Sequence, residues 1–246
     1  MLETIEFILV YGLVLGSLYL LISFGFTIVC GVLRVFHMGY GCIFVVAVYA
    51  LWMLMNEFHL SLFAGIAGML ILQILFTIIV IYYPVVRRYM DREELLLTSL
   101  ILISLIVEET ANFFYPESAG VMIPTSIVSG SMAIGSSSIP YQLIIASGIA
   151  IVLAIVFVLL LLKTREGLVI RAVSQDTESA ELMGANVGRT YALAMVLSVI
   201  PPTVCIISIA PVWSIEPSMG ASLMQTAILV SILGGLGNIK GSIIAS

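Results

Sequence analysis

Residues 141–189 read YQLIIASGIAIVLAIVFVLLLLKTREGLVIRAVSQDTESAELMGANVGR. Residues 141–162 are an uncharged apolar run, long enough at about 1.5 Å rise per residue to cross a hydrocarbon layer roughly 30 Å thick. Residues 163–189 form the longest polar interval in the chain, and their pattern is that of a folded element. Asp176 is placed to accept from backbone N–H groups as an N-cap, and Glu178 stands in the first turn against the positive helix end. Gly184 is placed to take the left-handed conformation after the last turn. The spacing therefore predicts a short helix over residues 177–183, held between two membrane spans. So short a helix is marginal alone and needs a surface to dock on. Leu168, Ile170, Val173, Leu182 and Met183 are interleaved with its polar residues, which a purely solvated connector would not need. The interval reads as a docking element for a soluble partner, passing motion into the membrane.

The rest of the chain has the opposite, apolar character. Of its 246 residues, 61% are hydrophobic and 9% charged, with a mean hydropathy of +1.23; soluble domains carry roughly 25% charge. A chain this apolar cannot cover a water-facing surface, so the composition predicts an all-α, polytopic transmembrane helix bundle, a single domain over residues 1–246. The opening Met1–Glu6, MLETIE, is acidic. It lacks the positive start of a secretory signal and is read as uncleaved. Cys30, Cys42 and Cys205 lie in apolar surroundings and read as small buried hydrophobes, with no disulfide framework or metal cluster.

About seven spans follow from hydropathy and breakers, at residues 5–32, 43–55, 60–83, 95–115, 141–162, 190–210 and 221–234. Gly12 and Gly16 in the first form a G-x-x-x-G, a spacing that serves close helix packing in lipid. The second is short and is expected to begin near Gly39 or to be a partly broken helix. Pro84 is expected to end the third. Residues 116–140, rich in Gly, Ser and Pro, read as an extracytoplasmic loop with a small hairpin around Gly130. Pro201 and Pro202 are expected to kink or break the sixth span, with neighbouring helices re-satisfying the freed carbonyls. The chain stops at Ser246 as a further apolar segment begins.

Alternating these spans places Arg34, Arg87, Arg88, Arg92, Lys163, Arg165, Arg171, Arg189 and Lys240 on one side, which is all 9 basic residues. The other side holds Glu3, Glu6, Glu57, His59, Glu117 and Glu216. Basic loops stay in the cytoplasm. The N-terminus is then outside, and residues 163–189 are a cytoplasmic loop.

No residue set looks catalytic, so the chain does not read as an enzyme. His37 and His59 fall on opposite sides and cannot share a metal. The glycine-rich residues 234–242 are not a phosphate-binding loop, because Lys240 precedes Gly241 where Gly-Lys-Ser/Thr is needed. If ATP is used, another subunit binds it. Glu108 and Glu109 lie roughly 20 Å into the fourth span by helical rise. One reading makes a carboxylate there a wall of a translocation path or a partner for a substrate amine. The other ends the span early and puts both at the outer interface, with Asn112 and Pro116 following. Neighbours point about 100° apart, so one of the two at most would line a path. His37, Gly39, Tyr40 and Gly41 sit at a helix break, where backbone groups would be open to substrate as in other transporters. The alternative is a cytoplasmic turn with an interfacial tyrosine.

Three stretches carry a resemblance. Gly12-Leu-Val-Leu-Gly-Ser-Leu-Tyr19 with Gly31-Val-Leu-Arg34, then Arg171-Ala-Val-Ser-Gln-Asp-Thr-Glu-Ser-Ala-Glu-Leu-Met-Gly184, then Gly234-Gly-Leu-Gly237 followed by Gly241, resemble the permease subunits of bacterial branched-chain amino-acid ABC transporters over most of the chain. The resemblance implies an importer in the bacterial cytoplasmic (inner) membrane. It would comprise two such permeases, two cytoplasmic ATPases that use the ATP, and an extracytoplasmic solute-binding protein. It implies ATPase coupling through Arg171, Ala172, Asp176, Ala180, Glu181 and Gly184; the path read from the residues themselves runs along His37, Gly39, Tyr40, Gly41 and Glu108. Two departures stand out. Where the family has Asn-Phe/Met-Ala-His-Gly and then an acidic or small residue, this chain has His37-Met-Gly-Tyr-Gly-Cys42, and the family usually has about eight spans. The first departure leaves urea or another small amide open as the substrate. A stand-alone secondary transporter or channel is the competing class, with the capped cytoplasmic loop and the lack of an intramembrane ion pair against it. An inactive membrane scaffold is the weakest reading.

Overall fold

The computed structural model describes residues 2–115, 128, 130–134, 137–213, 216–235, 237 and 239–246. Among them four helices are long and apolar enough to cross a membrane: Ile5–Leu33, Leu62–Tyr89, Tyr141–Lys163 and Val187–Ile209. In chain order these belong to α1 (Leu2–Leu33), to α3 (Leu62–Phe76) with its extension, to α6 (Tyr141–Lys163) and to α9 (Val187–Ile209). The shorter α2 (Tyr40–Asn56) and α10 (Met219–Gly234) and the glutamate-bearing α5 (Glu93–Phe114) complete the bundle. These are the segments that hydropathy predicts, and α2 begins at the break near Gly39 as expected.

The π-helical segment Thr77–Val86 and α4 (Arg87–Tyr89) continue α3 without interruption. Pro84 therefore does not end the third span, contrary to the expectation. A proline lacks the N–H that an α-helical turn would use and clashes with the carbonyl four residues back. The wider π turn, with its i→i+5 bonding, absorbs both defects while the chain continues. Arg87 and Arg88 are helical as a result.

α9 likewise runs through Pro201 and Pro202 without breaking. Pro202 has no N–H for the Ser198 carbonyl four residues earlier. The Tyr40 hydroxyl reaches over from α2, 3.1 Å from the Ile22 carbonyl and 3.4 Å from that of Ser198. Gly25 on α1 makes this crossing possible. A Cβ there would strike the Ser198 carbonyl and the Tyr40 hydroxyl, and would lie 3.1 Å from Pro202 Cδ.

α1 is the central post, packed against α6, α9 and α10, while α2 lies among α3, α5, α9 and α10. Small residues set these approaches, since lipid gives helices no hydrophobic reason to associate. A Cβ on Gly41 would lie 3.0 Å from the Gly220 carbonyl oxygen. A Cβ on Gly31 would lie 2.9 Å from Gly237 Cα, where α11 (Ile239–Ala245) turns back along α1 and α10. Thr27 Oγ1 ties this corner together, 2.9 Å from Ser231 Oγ and 2.8 Å from Ser242 Oγ. The G-x-x-x-G pair does not act as one stripe within the chain. Gly16 meets the Ser246 carbonyl, but a Cβ on Gly12 would meet nothing within 4 Å.

The helix ends sort as the charge alternation requires. The end of α1 meets residues 174–175, and the ends of α4 and the start of α9 share a cleft. At the opposite ends, Tyr115 donates to Glu57 at 2.8 Å. In the 116–140 loop, β1 (Ser131–Ile134) and β2 (Ser137–Pro140) form an antiparallel hairpin immediately after Gly130, which has φ +108°. Residues 116–127, with Glu117, lie outside the described residues, as does the Lys240 side chain.

Candidate functional site

The polar interval folds as α7 (Arg165–Gln175) and α8 (Thr177–Leu182). Each start is capped by a side chain: Thr164 accepts from Gly167 N at 3.0 Å, and Asp176 Oδ1 from Ser179 N at 3.0 Å. Asp176 Oδ2 also accepts from the Ser179 hydroxyl at 2.6 Å. These bonds, the hydroxyl's first, hold the Asp176 carboxyl below its usual pKa. Gly184 closes α8 at φ +91°. Its N–H bonds the Glu181 carbonyl at 2.8 Å and that of Ala185 bonds Ala180 at 3.0 Å, the paired 5→2 and 6→1 bonds of a Schellman ending. Asn186 then caps α9 through Arg189 N at 2.9 Å.

The apolar residues of this loop divide by side. Ile170 and Val173 are buried against the bundle, whereas Leu168, Leu182 and Met183 point to solvent, the last two 84% and 89% exposed. Ala172, Asp176 and Glu181 are exposed with them, and Arg171 is half-buried. Ala180 is turned inward, so of the predicted coupling residues it is the one that seats α8 on its own chain and presents nothing outward.

Sequence reasoning counted Arg34 as a basic loop residue and missed what it does. Its Nε and Nη2 donate to the Ser174 carbonyl at 3.1 and 2.9 Å, and Nη2 also donates to the Gln175 carbonyl. A guanidinium thus closes the last turn of α7, where carbonyls are orphaned and the dipole is negative. Arg34 does this from a left-handed backbone, φ 56°, which costs an L-residue about 1–2 kcal/mol and is held by these bonds. The signal was its place directly after the last residue of a span, where the chain must turn.

The helix break is exposed at Arg34 and Phe36 and buried from His37 to Tyr40 apart from the half-buried Met38. His37 is 2% exposed, and neither ring nitrogen has a hydrogen-bond partner among the described residues. Tyr40 is fully buried, with its ring edge-on to Phe26, His37 and Phe44. Neither is an interfacial side chain, so residues 34–39 do form a turn but its tyrosine is not at the interface. No side chain caps the start of α2 or of α10, and these two starts meet at Gly41 and Gly220. Gln73, in the third span and unremarked in the sequence because it is uncharged, donates to the Ile43 carbonyl in the first turn of α2 at 3.2 Å.

Residues 8–246 match the family described as "Branched-chain amino acid transport system / permease component". The chain belongs to that family. The high-affinity branched-chain amino acid transport system permease protein LivH of Salmonella typhimurium is 26% identical over 250 residues, covering 95% of this chain and 80% of that protein. Its Escherichia coli K12 counterpart is 25% identical over the same length. The corresponding protein BraD of Pseudomonas aeruginosa is 25% identical over 252 residues, covering 96% and 81%. No solved structure matches the chain. A multi-pass membrane permease subunit of an ABC importer is the family's assignment, and the bundle has that form.

Glu108 is half-buried on α5 and Glu109 is exposed. Ser104, one turn earlier, stands 3.4 Å from where a Gly41 Cβ would be. The same helix face therefore passes from the helix break to Glu108. An apolar cleft of about 280 Å³ between α2 and α5 lies alongside, lined by Val45, Tyr49, Val107, Ala111 and Tyr115 among others.

Proposed function

We propose that this chain is the membrane-spanning subunit of an importer that carries a small amino acid, of branched-chain type, across a bacterial cytoplasmic membrane. ATP is hydrolysed by separate cytoplasmic subunits, and the substrate arrives on an extracytoplasmic binding protein. A second permease subunit completes the path. The observation that carries this reading is the doubly capped α8, which offers Leu182 and Met183 to solvent and is clamped through α7 to the end of the central helix by Arg34. A partner pushing on α8 pushes α1. A cleft of about 360 Å³ beside Arg34, between α1, α7 and Gly237, leaves room for that movement.

The path runs past His37, Gly39, Tyr40, Gly41 and Glu108. Two buried ring nitrogens with no partner among the described residues are costly, about 1–3 kcal/mol for each buried group left unsatisfied. They gain partners when the break opens to water or to a polar substrate head. Uncapped helix starts favour a carboxylate, and a half-buried glutamate favours an ammonium. Both ends of an amino acid are thereby matched, and the adjoining apolar cleft suits a branched side chain. His37 and Tyr40 stand where the family has other residues, which supports urea or a small amide as a second reading.

The test is uptake by the assembled transporter in proteoliposomes, with labelled leucine and labelled urea in parallel. ATP-dependent leucine uptake is expected, and ATP-dependent urea uptake alone would replace the substrate assignment. Leu182→Ser with Met183→Ser is expected to abolish ATPase association and uptake, with unchanged thermal unfolding of the chain. Uptake by the single subunit on an ion gradient would overturn the importer reading.

A further inference from the structure

A cleft of about 340 Å³ opens where the third span meets α9, lined by Tyr82, Tyr83, Arg87, Asn186, Gly188 and Arg189. We propose that it holds the phosphate of an anionic phospholipid headgroup from the cytoplasmic leaflet. Nothing in the transport cycle as described above uses this site.

Several independent observations converge on a phosphate at headgroup depth. Arg87 and Arg189 approach the cleft from different helices, and both are exposed. Arg87 lies over the Tyr83 ring, 5.7 Å from its centroid, so its guanidinium is held at the cleft. Among the described residues Arg189 has one ion-pair partner, Glu166, at 3.8 Å, with the two side chains 72% and 58% exposed. A pair so solvated is worth little and leaves Arg189 able to take a stronger anion. The start of α9 opens at the same place, with its positive dipole end. Asn186 uses the N–H of Arg189, and Tyr82 fixes the turn by donating to the Gly188 carbonyl at 2.5 Å. Arginine on a helix start is a geometry suited to phosphate oxygens.

The third span argues that this phosphate belongs to lipid. It is the least buried of the four long apolar helices. Ile71, Leu75, Ile79 and Tyr83 are all exposed along one row, which ends in Arg87. An exposed apolar row at membrane depth touches acyl chains, and its tyrosine and arginine mark the level where the chains give way to headgroups. Basic pockets between helices on the cytoplasmic side suit anionic headgroups. A lipid whose tails lie along Ile79 and Leu75 would bring its phosphate to the cleft.

Native mass spectrometry of the full chain in neutral detergent tests this, with phosphatidylglycerol, with phosphatidylcholine of the same acyl chains, and with inorganic phosphate as competitor. Phosphatidylglycerol is expected to bind and phosphatidylcholine to bind far more weakly. Arg87→Gln with Arg189→Gln should weaken phosphatidylglycerol by about 30-fold, at about fivefold for each arginine near an anionic headgroup. Arg87→Lys with Arg189→Lys should retain much of it. Arg88→Gln, on the same helix and outside the cleft, should leave it unchanged. Equal binding of the two lipids, or displacement of lipid by inorganic phosphate alone, would overturn the headgroup assignment. So would an equal loss in Arg88→Gln, or unchanged lipid binding in the double glutamine variant with a failure to assemble with the ATPase.

Discussion

Single glycines in this chain differ in consequence because their surroundings differ. Gly25 has no room for a methyl, with the Ser198 carbonyl, the Tyr40 hydroxyl and Pro202 against it. Gly148, on the outer face of α6, would meet nothing within 4 Å. Gly25→Ala is expected to destabilise the chain by about 1–3 kcal/mol, the usual cost of overpacking. Gly148→Ala should be neutral or slightly stabilising through helix propensity. Thermal unfolding in detergent checks both, and an unshifted midpoint for Gly25→Ala would refute the close crossing of α1 and α9. Gly184 is constrained by backbone conformation, since the space around it is open and its φ is +91°. Gly184→Val should cost about 1–2 kcal/mol of local strain, and should uncouple ATP hydrolysis from uptake while leaving the spans intact.

The α7–α8 element is a rigid piece because both its starts and its final turn are closed by side chains or by glycine. Removing the Arg34 clamp by Arg34→Ala is expected to leave membrane insertion and ATPase docking in place and to reduce uptake per ATP hydrolysed. Arg34→Lys should recover little, because one ammonium cannot replace a fork that serves two carbonyls. Comparing uptake with hydrolysis in the same proteoliposomes measures this. Asp176 makes the α8 cap dependent on pH. Its folded pKa is depressed, so the cap's stabilisation is fully present above the usual aspartate value of 3.8 and is lost as pH falls through the lower folded value. Carboxyl NMR of aspartate-labelled protein should show this titration below 3.8. Ser179→Ala, which removes the hydroxyl bond, should move it up.

At the scale of the whole molecule, the alternation of spans makes a claim about sidedness. A cysteine introduced at Ser179 is expected to react with a membrane-impermeant maleimide only from the cytoplasmic face, and one at Glu57 only from outside. Both positions are exposed, so access to reagent reports topology and not burial. Labelling of both from the same face would refute the bundle's orientation. The central position of α1 means that motion at its inner end is shared by α6, α9 and α10, which it touches. In the proposed cycle, that arrangement is what would turn a local push on α8 into a rearrangement of the path.

The hydrophobic runs, the basic side, the capped α8 and its glycine ending were all readable from residue order. Hydropathy, loop charge and capping are local or additive properties, carried by neighbours in sequence. Pro84 was misread, and the packing partner of Gly12 was not legible, because each depends on more than its own segment. A proline ends a helix only if the backbone cannot widen around it, and a glycine pair packs only if another helix arrives at both members. The Arg34 clamp joins residues 140 or more apart, the Tyr40 hydroxyl addresses a carbonyl 158 residues away, and Arg87 and Arg189 share one cleft. Residue order alone therefore settled which segments are apolar enough to lie in lipid, that the basic residues gather between alternate spans and where the capped helix begins and ends. Only tertiary packing decided which polar groups are clamped, buried without partners or gathered into a cleft, because a hydrogen bond or a cavity exists only between groups that folding brings together.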